Sequence, residues 1–315
     1  MWQFARRRLT TAIPLLVIVS FIVFFLLHLS PGDPAARAAG GSDALPADII
    51  AARERLGLNE PLHIQYLEWL RGLVVLDLGT SLFSSRPVTE AIASALPVTL
   101  SLTFGAVVVA LLIAIPTGIL AARRQGGALD RLIMIGASLG IALPNFFVGL
   151  MLVLVFALTV RWFPATGYVD LLTDPWRWLQ HMTLPWIALG IAVAAELARH
   201  LRGALRDVLS QDYVRTAYAK GLPGRLAIGK HGLKNAAIPV VTVLGLQIRA
   251  LLGGVVVIEQ VFSLPGLGSL AVHAVFNHDY PIVQGVAMVS VAIVLIVNWV
   301  VDLSYGYFNP RVRSA

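Results

Sequence analysis

The chain has 315 residues, of which 57% are hydrophobic and only 13% are charged; soluble globular proteins carry about 25% charged residues, so this composition excludes an ordinary soluble protein and indicates a membrane protein. The absence of cysteine excludes a disulfide framework, a thiolate metal site and a cysteine nucleophile. The net charge of +7 is typical of a membrane protein with excess Lys and Arg on its cytoplasmic loops, and it does not require nucleic acid as a partner.

Six apolar segments along the chain are candidates for membrane spans. The first follows three arginines and is uncharged over 21 residues, which at about 1.5 Å per residue matches a hydrocarbon thickness of roughly 30 Å. A cleaved signal peptide is the alternative, but its apolar core would be shorter, about 7–15 residues. We therefore predict an all-α membrane protein with six transmembrane helices, over Leu9–Leu29, Leu96–Ala122, Leu132–Val160, Met182–Ala198, Ala236–Ile258 and Pro281–Val301.

The hydrophilic region between the first two spans predicts a small helical cap at the membrane surface. One amphipathic helix is predicted from Pro46 to Leu56 and ends at Gly57. A second begins after Asn59, with a proline in its first turn, and a third is predicted over residues 87–95. The apolar face of the second helix carries Leu62, Tyr66, Trp69, Leu70 and Leu73.

The distribution of basic residues predicts which side of the membrane each loop occupies. Sixteen Lys and Arg residues lie on the side of the N-terminus, against seven on the opposite side. Because cytoplasmic loops carry the excess, both termini and the loop 199–235 are predicted to be cytoplasmic, in the inner cell membrane, and the cap external. The predicted domains are the first span with the cap (1–95), the transmembrane core with the loop 199–235 (96–306) and a cytoplasmic tail (307–315).

The sequence from Leu209 to Pro239 is a polar, basic segment inside an otherwise apolar chain. Leu209, Tyr213 and Ala217 recur at helical spacing, and the run Gly-Leu-Pro-Gly that begins at Gly221 ends this pattern. A second short helical pattern follows the run. We predict a helix, a sharp turn with a left-handed conformation at Gly221, and a second helix, an arrangement that suits a docking surface for another protein.

Part of the basic segment resembles a nucleotide-binding motif but lacks an essential residue. Residues 224–230 read GRLAIGK, and His231 stands where a phosphate-binding loop has the Ser or Thr that holds Mg²⁺. No nucleotide site is therefore predicted, and any ATP and Mg²⁺ used in transport would be bound by partner subunits. The histidines show no metal-ligand spacing, so no metal or other cofactor is predicted for this chain.

Polar residues and prolines within the spans mark candidate positions of a transport pathway. Arg249 and Glu259 lie ten residues apart, roughly 15 Å along a helix, so they cannot pair within it, and either could face the pathway or a partner subunit. Pro144 and Asn145 interrupt the third span. Such a break is tolerated only beside protein or a water-filled cavity, so pathway lining and simple helix packing both remain open.

A local ion pair is also predicted within the spans, which contain two further prolines. Glu196 and Arg199 lie three residues apart on one helix face, and we predict that they form an ion pair near the cytoplasmic end of the fourth span. Pro116 and Pro185 also interrupt apolar runs.

The segment Asp212–Leu222, DYVRTAYAKGL, is similar to the EAA loop of ABC-importer permeases. The resemblance covers nearly the whole chain, and it is most specific for the first permease subunit of the dipeptide, oligopeptide and nickel importers. One departure is Leu76, which stands where that family usually has glycine before its DLG motif. The other motifs, specific through their order and spacing, are SPGDP (30–34), LGLNEPLHIQYLEWL (56–70), DLGTS (77–81), LPVTLSL (96–102), PNFFVGL (144–150), PATG (164–167), VFSLPGLG (261–268), HDYPIVQG (278–285) and NPRVR (309–313).

This resemblance implies a type I ABC-importer permease fold and a chain that is not itself an enzyme. It implies a second homologous permease, two cytoplasmic ATPase subunits that bind and hydrolyse ATP, and an external solute-binding protein that delivers a dipeptide or oligopeptide, with nickel as the alternative substrate. The residues carried over as the ATPase-docking loop are Asp212, Tyr213, Val214, Arg215, Thr216, Ala217, Ala219, Lys220 and Gly221, among which Tyr213, Val214 and Ala217, together with Tyr218, are expected to supply the apolar contacts.

A proton-coupled secondary transporter is the alternative of a different class. Glu196, Glu259 and Asp302 would then form a proton relay. Such a carrier needs no ATPase, so the cytoplasmic basic segment argues against it.

Overall fold

The computed structural model describes residues 13–25, 33–40, 44–221, 223 and 233–308. This part of the chain is mostly helical, and its one strand-like pairing is an isolated antiparallel bridge between Thr80 and Pro87. The helices, in chain order, are α1 (Ile13–Phe25), α2 (Pro34–Ala38), α3 (Pro46–Arg55), α4 (Leu62–Val74), α5 (Val88–Arg123), α6 (Ala128–Ala142), α7 (Asn145–Leu152, followed by a π-helix over Val153–Thr159), α8 (Pro175–Leu209), α9 (Asp212–Ala219), α10 (Lys234–Val261), α11 (Leu267–Phe276) and α12 (Tyr280–Phe308).

Four of these helices contain stretches long and apolar enough to cross a membrane: α5, α8, α10 and α12. The pair formed by α6 and the helix beginning at Asn145 passes the same test together but is bent by 103° at its break. Helix α1 is apolar but shorter within the described residues, because the predicted first span extends beyond them at both ends. The all-α membrane architecture is confirmed, and the count of six spans stays a prediction.

The prolines in the spans have different effects. At Pro144 the helix is broken as predicted, because α6 ends at Ala142 and α7 begins only at Asn145. At Pro116 and Pro185, by contrast, α5 and α8 continue without interruption. A proline lacks the N–H of one intrahelical hydrogen bond, and packed membrane helices tolerate that loss.

The first two predicted cap helices are confirmed and the third is wrong. Helix α3 ends at Arg55, just before a left-handed Gly57 (φ 64°), and Pro61 is the N-cap of α4. The residues from Val88 onward are not a separate cap helix, because they form the first turns of α5, which continues to Arg123.

The chain divides into two compact units, and the domain boundaries predicted above stay a prediction. The first unit comprises Leu100–Leu264 and the chain from Ile296; the second comprises the described residues up to Thr99 and Pro265–Leu295.

Helix α8 is the centre of the first unit and packs against α6, α7 and α10. Its apolar stripe is almost continuously buried, from Met182 to Leu205. Small residues allow close packing here, since a β-carbon at Gly105 of α5 would overlap the Trp186 ring, whose Nε1 donates to the Ser101 carbonyl oxygen at 2.9 Å. Helix α8 therefore forms a packed support for α9, the helix that follows it.

In the second unit, the beginnings of α5 and α12 pack against α11 through Val88, Ile92, Leu267 and Ile282. The apolar face of α4 packs against α1. Tyr66 and Trp69 lie 5.4 and 5.7 Å from the Phe24 ring centroid, and the Tyr66 and Ser20 hydroxyls are 2.9 Å apart. The amphipathic stripe predicted for α4 thus seats the cap on the first apolar helix.

Candidate functional site

The predicted docking helix is α9, which follows α8 after a two-residue turn. The Ser210 N–H closes α8 by donating to the Arg206 and Val208 carbonyls, and the Thr216 hydroxyl donates to the Asp212 carbonyl at 2.9 Å. Among the side chains that the structure describes, the exposed residues of α9 and the turn after it include Asp212, Tyr213, Thr216, Ala219 and Lys220.

Val214 points the other way. Its side chain is fully buried, so it seats α9 on its own chain, and the expectation that it supplies an outward apolar contact is wrong. The sequence stripe contained this residue because helical spacing shows which residues share a face but not what covers the face. Of the predicted apolar contacts whose side chains the structure describes, Tyr213 is the one that faces outward, and it is 47% exposed. The side chains of Arg215, Ala217 and Tyr218 lie outside the described part of the chain.

Gly221 has the predicted left-handed backbone, with a φ of 83°. No atom lies within 4 Å of the position that a β-carbon would occupy there. The glycine is therefore required by backbone conformation rather than by lack of space. The second helix predicted for the basic segment falls on residues outside those that the structure describes.

A partly buried ion pair near the C-terminal end of α8 was missed by sequence reasoning. Arg202 of α8 donates to both oxygens of Asp130 at 2.5 and 2.7 Å, and the Gly126 N–H donates to the same carboxylate at 2.9 Å. The pair fixes the start of α6 to α8 less than two turns before α8 leads into α9. The clue in the sequence was a lone aspartate among Arg123, Arg124 and Arg131.

The break at Pro144 places Asn145 beside α10. The Asn145 side-chain nitrogen lies 3.6 Å from the position of a β-carbon at Gly254. Gly149, one turn further along α7, lies against Phe262 and Ile258. The helix then widens into a π-helix, a local form that is frequent at functional sites.

The charged residues of the predicted spans differ in pairing and in burial. Glu196 pairs with Arg199 at 3.1 Å, as predicted, and also with His200 at 3.1 Å. Glu259 is fully buried, whereas Arg249 is exposed on the same helix. Glu259 and Arg249 thus do not share a surface.

Several motifs that are distant in sequence are joined within one unit. In the second unit, the Asp279 carboxylate accepts from the Ser81 hydroxyl at 2.5 Å and the Leu82 N–H at 3.1 Å. The Leu267 N–H donates to the Thr99 hydroxyl at 2.8 Å. In the first unit, the Gly167 N–H donates to the Phe262 carbonyl at 3.0 Å. Apart from the Leu82 bond, each of these bonds links two of the motifs named in the sequence analysis, so these motifs are structural contacts of the fold.

The departure at Leu76 has a conformational consequence. Leu76 has a φ of 60° and its side chain is 77% exposed. This is the left-handed region, which favours glycine. The glycine usual at this position in similar permeases would adopt it without strain.

The chain belongs to the family of binding-protein-dependent transport system inner membrane components. The model of that family matches residues 114–314, and the model of the family's N-terminal region matches residues 1–103. An ABC-importer permease, multi-pass in the inner membrane, is thus the class of this protein.

Three comparisons illustrate the family relationship. The chain is 38% identical to the probable peptide ABC transporter permease protein y4tP of Sinorhizobium fredii over 98% of both chains. It is 42% identical to the glutathione transport system permease protein GsiC of Salmonella paratyphi A over 99% of both. A solved structure of the MetNI methionine ABC transporter matches 70% of this chain and 97% of its own, with a TM-score of 0.59 and 16% identity, which supports the fold alone.

Proposed function

We propose that the chain forms half of the membrane pathway of an ATP-driven importer of peptides. The observation that carries this proposal is similarity, over 98–99% of the chain, to permeases named for peptide and glutathione transport. Small peptides and glutathione share an amide-linked backbone with a terminal carboxylate. Nickel is not favoured as the substrate, because neither of these relatives is named for it.

The proposed partner on the cytoplasmic side is a pair of ATPase subunits, which bind ATP and Mg²⁺. Helix α9 supports this role, since it presents a polar outer surface around the exposed Tyr213 ring, and a polar rim around an aromatic anchor is typical of protein interfaces. Its buried Val214 fixes α9 to the rest of the chain, so movement of a docked ATPase would be transmitted to α8.

The proposed partner within the membrane is a second, homologous permease. In the most apolar stretch of each helix, only 22% of α10 and 22% of α12 is buried within this chain, against 61% of α8. Exposed helix surface of this extent is available for a second permease and for the pathway between the two. The proposed pathway or partner-facing residues remain Pro144, Asn145, Arg249 and Glu259. Because Glu259 is fully buried, it would influence the pathway without contacting the substrate itself.

On the external side, we propose that a solute-binding protein delivers the peptide to the mouth of the pathway. This assignment requires the predicted orientation, with both termini cytoplasmic and α2–α4 external. It is supported by the excess of Lys and Arg on the side of the basic segment. Membrane lipid would cover the remaining apolar surface.

The proton-coupled alternative needs Glu196 as a member of its relay. In the structure Glu196 is instead engaged by two neighbours on the same helix, Arg199 and His200, at 3.1 Å each. Cells that carry the transporter should therefore keep importing labelled peptide when an uncoupler is added and cellular ATP is held constant. Loss of uptake under that condition would favour the proton-coupled carrier.

The same cells identify the substrate. Labelled dipeptide, tripeptide, glutathione and Ni²⁺ should be compared with a strain from which the gene has been deleted. We expect gene-dependent uptake of at least one of the peptides, and uptake of Ni²⁺ alone would contradict the proposal.

A further inference from the structure

One face of α10 is exposed along most of the membrane span. The exposed residues recur at helical spacing and comprise Leu246, Arg249, Ala250, Gly253 and Val257. The opposite side of the helix carries the buried residues Leu251, Val255 and Ile258. Helix α10 therefore has a packed side and an open side, and the arginine is on the open side.

The open side of α10 is unsuited to lipid. Arg249 lies one residue from the midpoint of the 23-residue span Pro239–Val261, where an arginine is most costly in hydrocarbon. Among the residues that the structure describes, no carboxylate forms an ion pair with Arg249. Charged residues in such positions face a water-filled cavity or another protein group.

The surface next to Arg249 leaves room for a ligand. Ala250 and Gly253 have minimal side chains, and nothing lies within 4 Å of the β-carbon position at Gly253. A guanidinium and a surface of minimal side chains thus occur together on the open side of α10.

We propose that Arg249 lies on the translocation pathway and binds the carboxylate of the passing peptide. A peptide of any sequence with a free C-terminus offers the same planar carboxylate, and arginine matches it with two parallel N–H···O bonds. The small residues allow side chains of different sizes beside the bound carboxylate. This inference rests on the proposed function, since it names the chemical group that the same pathway recognises.

The alternative occupant of this face is an acidic residue of the second permease. Small residues also permit close helix approach, so that alternative makes a different prediction. It would make Arg249 necessary for assembly, whereas a pathway role makes it necessary for transport of carboxylates and not for assembly.

The test uses the complete importer, with both permeases, the ATPases and the binding protein, reconstituted in proteoliposomes. The probes are glutathione, dialanine and trialanine, and the one taken up fastest is compared with its C-terminal amide. Both are supplied at concentrations that saturate the binding protein, as checked by titration. The variants are Arg249→Gln and Arg249→Lys, and the control is Arg177→Gln, which removes an arginine whose side chain is 70% exposed.

We expect Arg249→Gln to lower uptake of the free acid by roughly 10- to 100-fold, the range for losing a hydrogen bond to a charged group. Uptake of the amide should change little, Arg249→Lys should restore part of the loss, and Arg177→Gln should match the wild type. The partner permease should co-purify with all variants.

Equal loss of acid and amide uptake, loss of the partner permease, or unchanged acid uptake in Arg249→Gln would overturn the inference while leaving the proposed function intact. No ATP-dependent uptake of any of the three probes by the wild type would instead overturn the proposed function, and this inference with it.

Discussion

Replacing Gly221 with valine tests whether the turn after α9 couples this chain to the proposed ATPases. The φ of 83° is in the left-handed region, where a residue with a β-carbon costs roughly 1–2 kcal/mol. Because nothing lies within 4 Å of the β-carbon position, the cost is conformational and no atom has to be displaced. Valine, branched at the β-carbon, should fall at the upper end of that range.

This free energy is too small to unfold the membrane bundle but large enough to move the turn. A change of 1–2 kcal/mol shifts a two-state equilibrium by about 5- to 30-fold, so the turn would leave its native geometry that much more often. We expect the variant to insert at normal abundance, to lose most peptide uptake, and to release its ATPases or leave them unstimulated by loaded binding protein.

Two control variants separate backbone conformation from added bulk. Gly221→Asn should be mild, because asparagine tolerates the left-handed region. Gly203→Ala adds a β-carbon in the interior of α8, also with nothing within 4 Å, and should be neutral or stabilising by about 0.5–1 kcal/mol. Uptake and ATPase co-purification are measured for all three. Normal transport by Gly221→Val, with its ATPases bound, would refute a coupling role for this turn.

Four further predictions follow from contacts in the fold. Gly105→Ala should lower the stability of the purified protein by roughly 1–3 kcal/mol, because its β-carbon would meet the Trp186 ring. The control Gly136→Ala has open space at its β-carbon and should not lower stability, so equal melting temperatures of the two variants would contradict this packing. Leu76→Gly should raise stability by about 0.5–1 kcal/mol, since relief of left-handed strain exceeds the entropy cost of glycine, and a decrease would show that the turn is not strained. In a double-mutant cycle, Asp130→Asn and Arg202→Gln should each lower the free energy of unfolding, and the loss in the double variant should be smaller than the sum of the two, with a coupling of at least about 1 kcal/mol. Additive losses would mean that the ion pair contributes nothing to stability. Single cysteines at Asn59 and Ser210, in a chain that has none, should be labelled by an impermeant maleimide on intact cells only at Asn59, and labelling at Ser210 from outside would reverse the orientation.

The features predicted correctly from sequence depend on residues close together in the chain. The apolar runs predict the long helices because a membrane requires a continuous stretch of hydrocarbon-compatible side chains. The spacing of Tyr66 and Trp69 predicts the face of α4 that packs on α1. A glycine at the end of a helical pattern, two residues before a proline, predicts the left-handed turn at Gly221. In each case the cause of the structure lies within a few residues.

The features that could not be predicted depend on partners distant in sequence. Asp130 and Arg202 are 72 residues apart, and Ser81 and Asp279 are 198 apart, so only the folded chain brings them together. Val214 belongs to the same helical stripe as its exposed neighbours, and its burial depends on what α9 rests against. Local pattern likewise gave no reason why the residues after Pro87 join α5 rather than form a helix of their own.

The open side of α10 shows why the candidate pathway residues could be named but not sorted. Polarity within a span singles out Arg249 and Glu259 equally. The fold separates them, because Glu259 is fully buried and Arg249 lies on the exposed face. Which of the two residues can meet a substrate therefore depends on the packing of α10 against α7 and α8.

The most direct test of the proposed role is uptake into proteoliposomes built from purified components. One set contains this chain with the second permease, the two ATPases and the binding protein, and the other contains this chain alone; both receive labelled peptide with and without ATP on the side of the ATPases. If the chain is half of an ATP-driven importer, peptide accumulates only in the complete set, only with ATP, and undiminished by an uncoupler. Accumulation driven by ATP or by a proton gradient in vesicles that hold this chain alone would contradict that role.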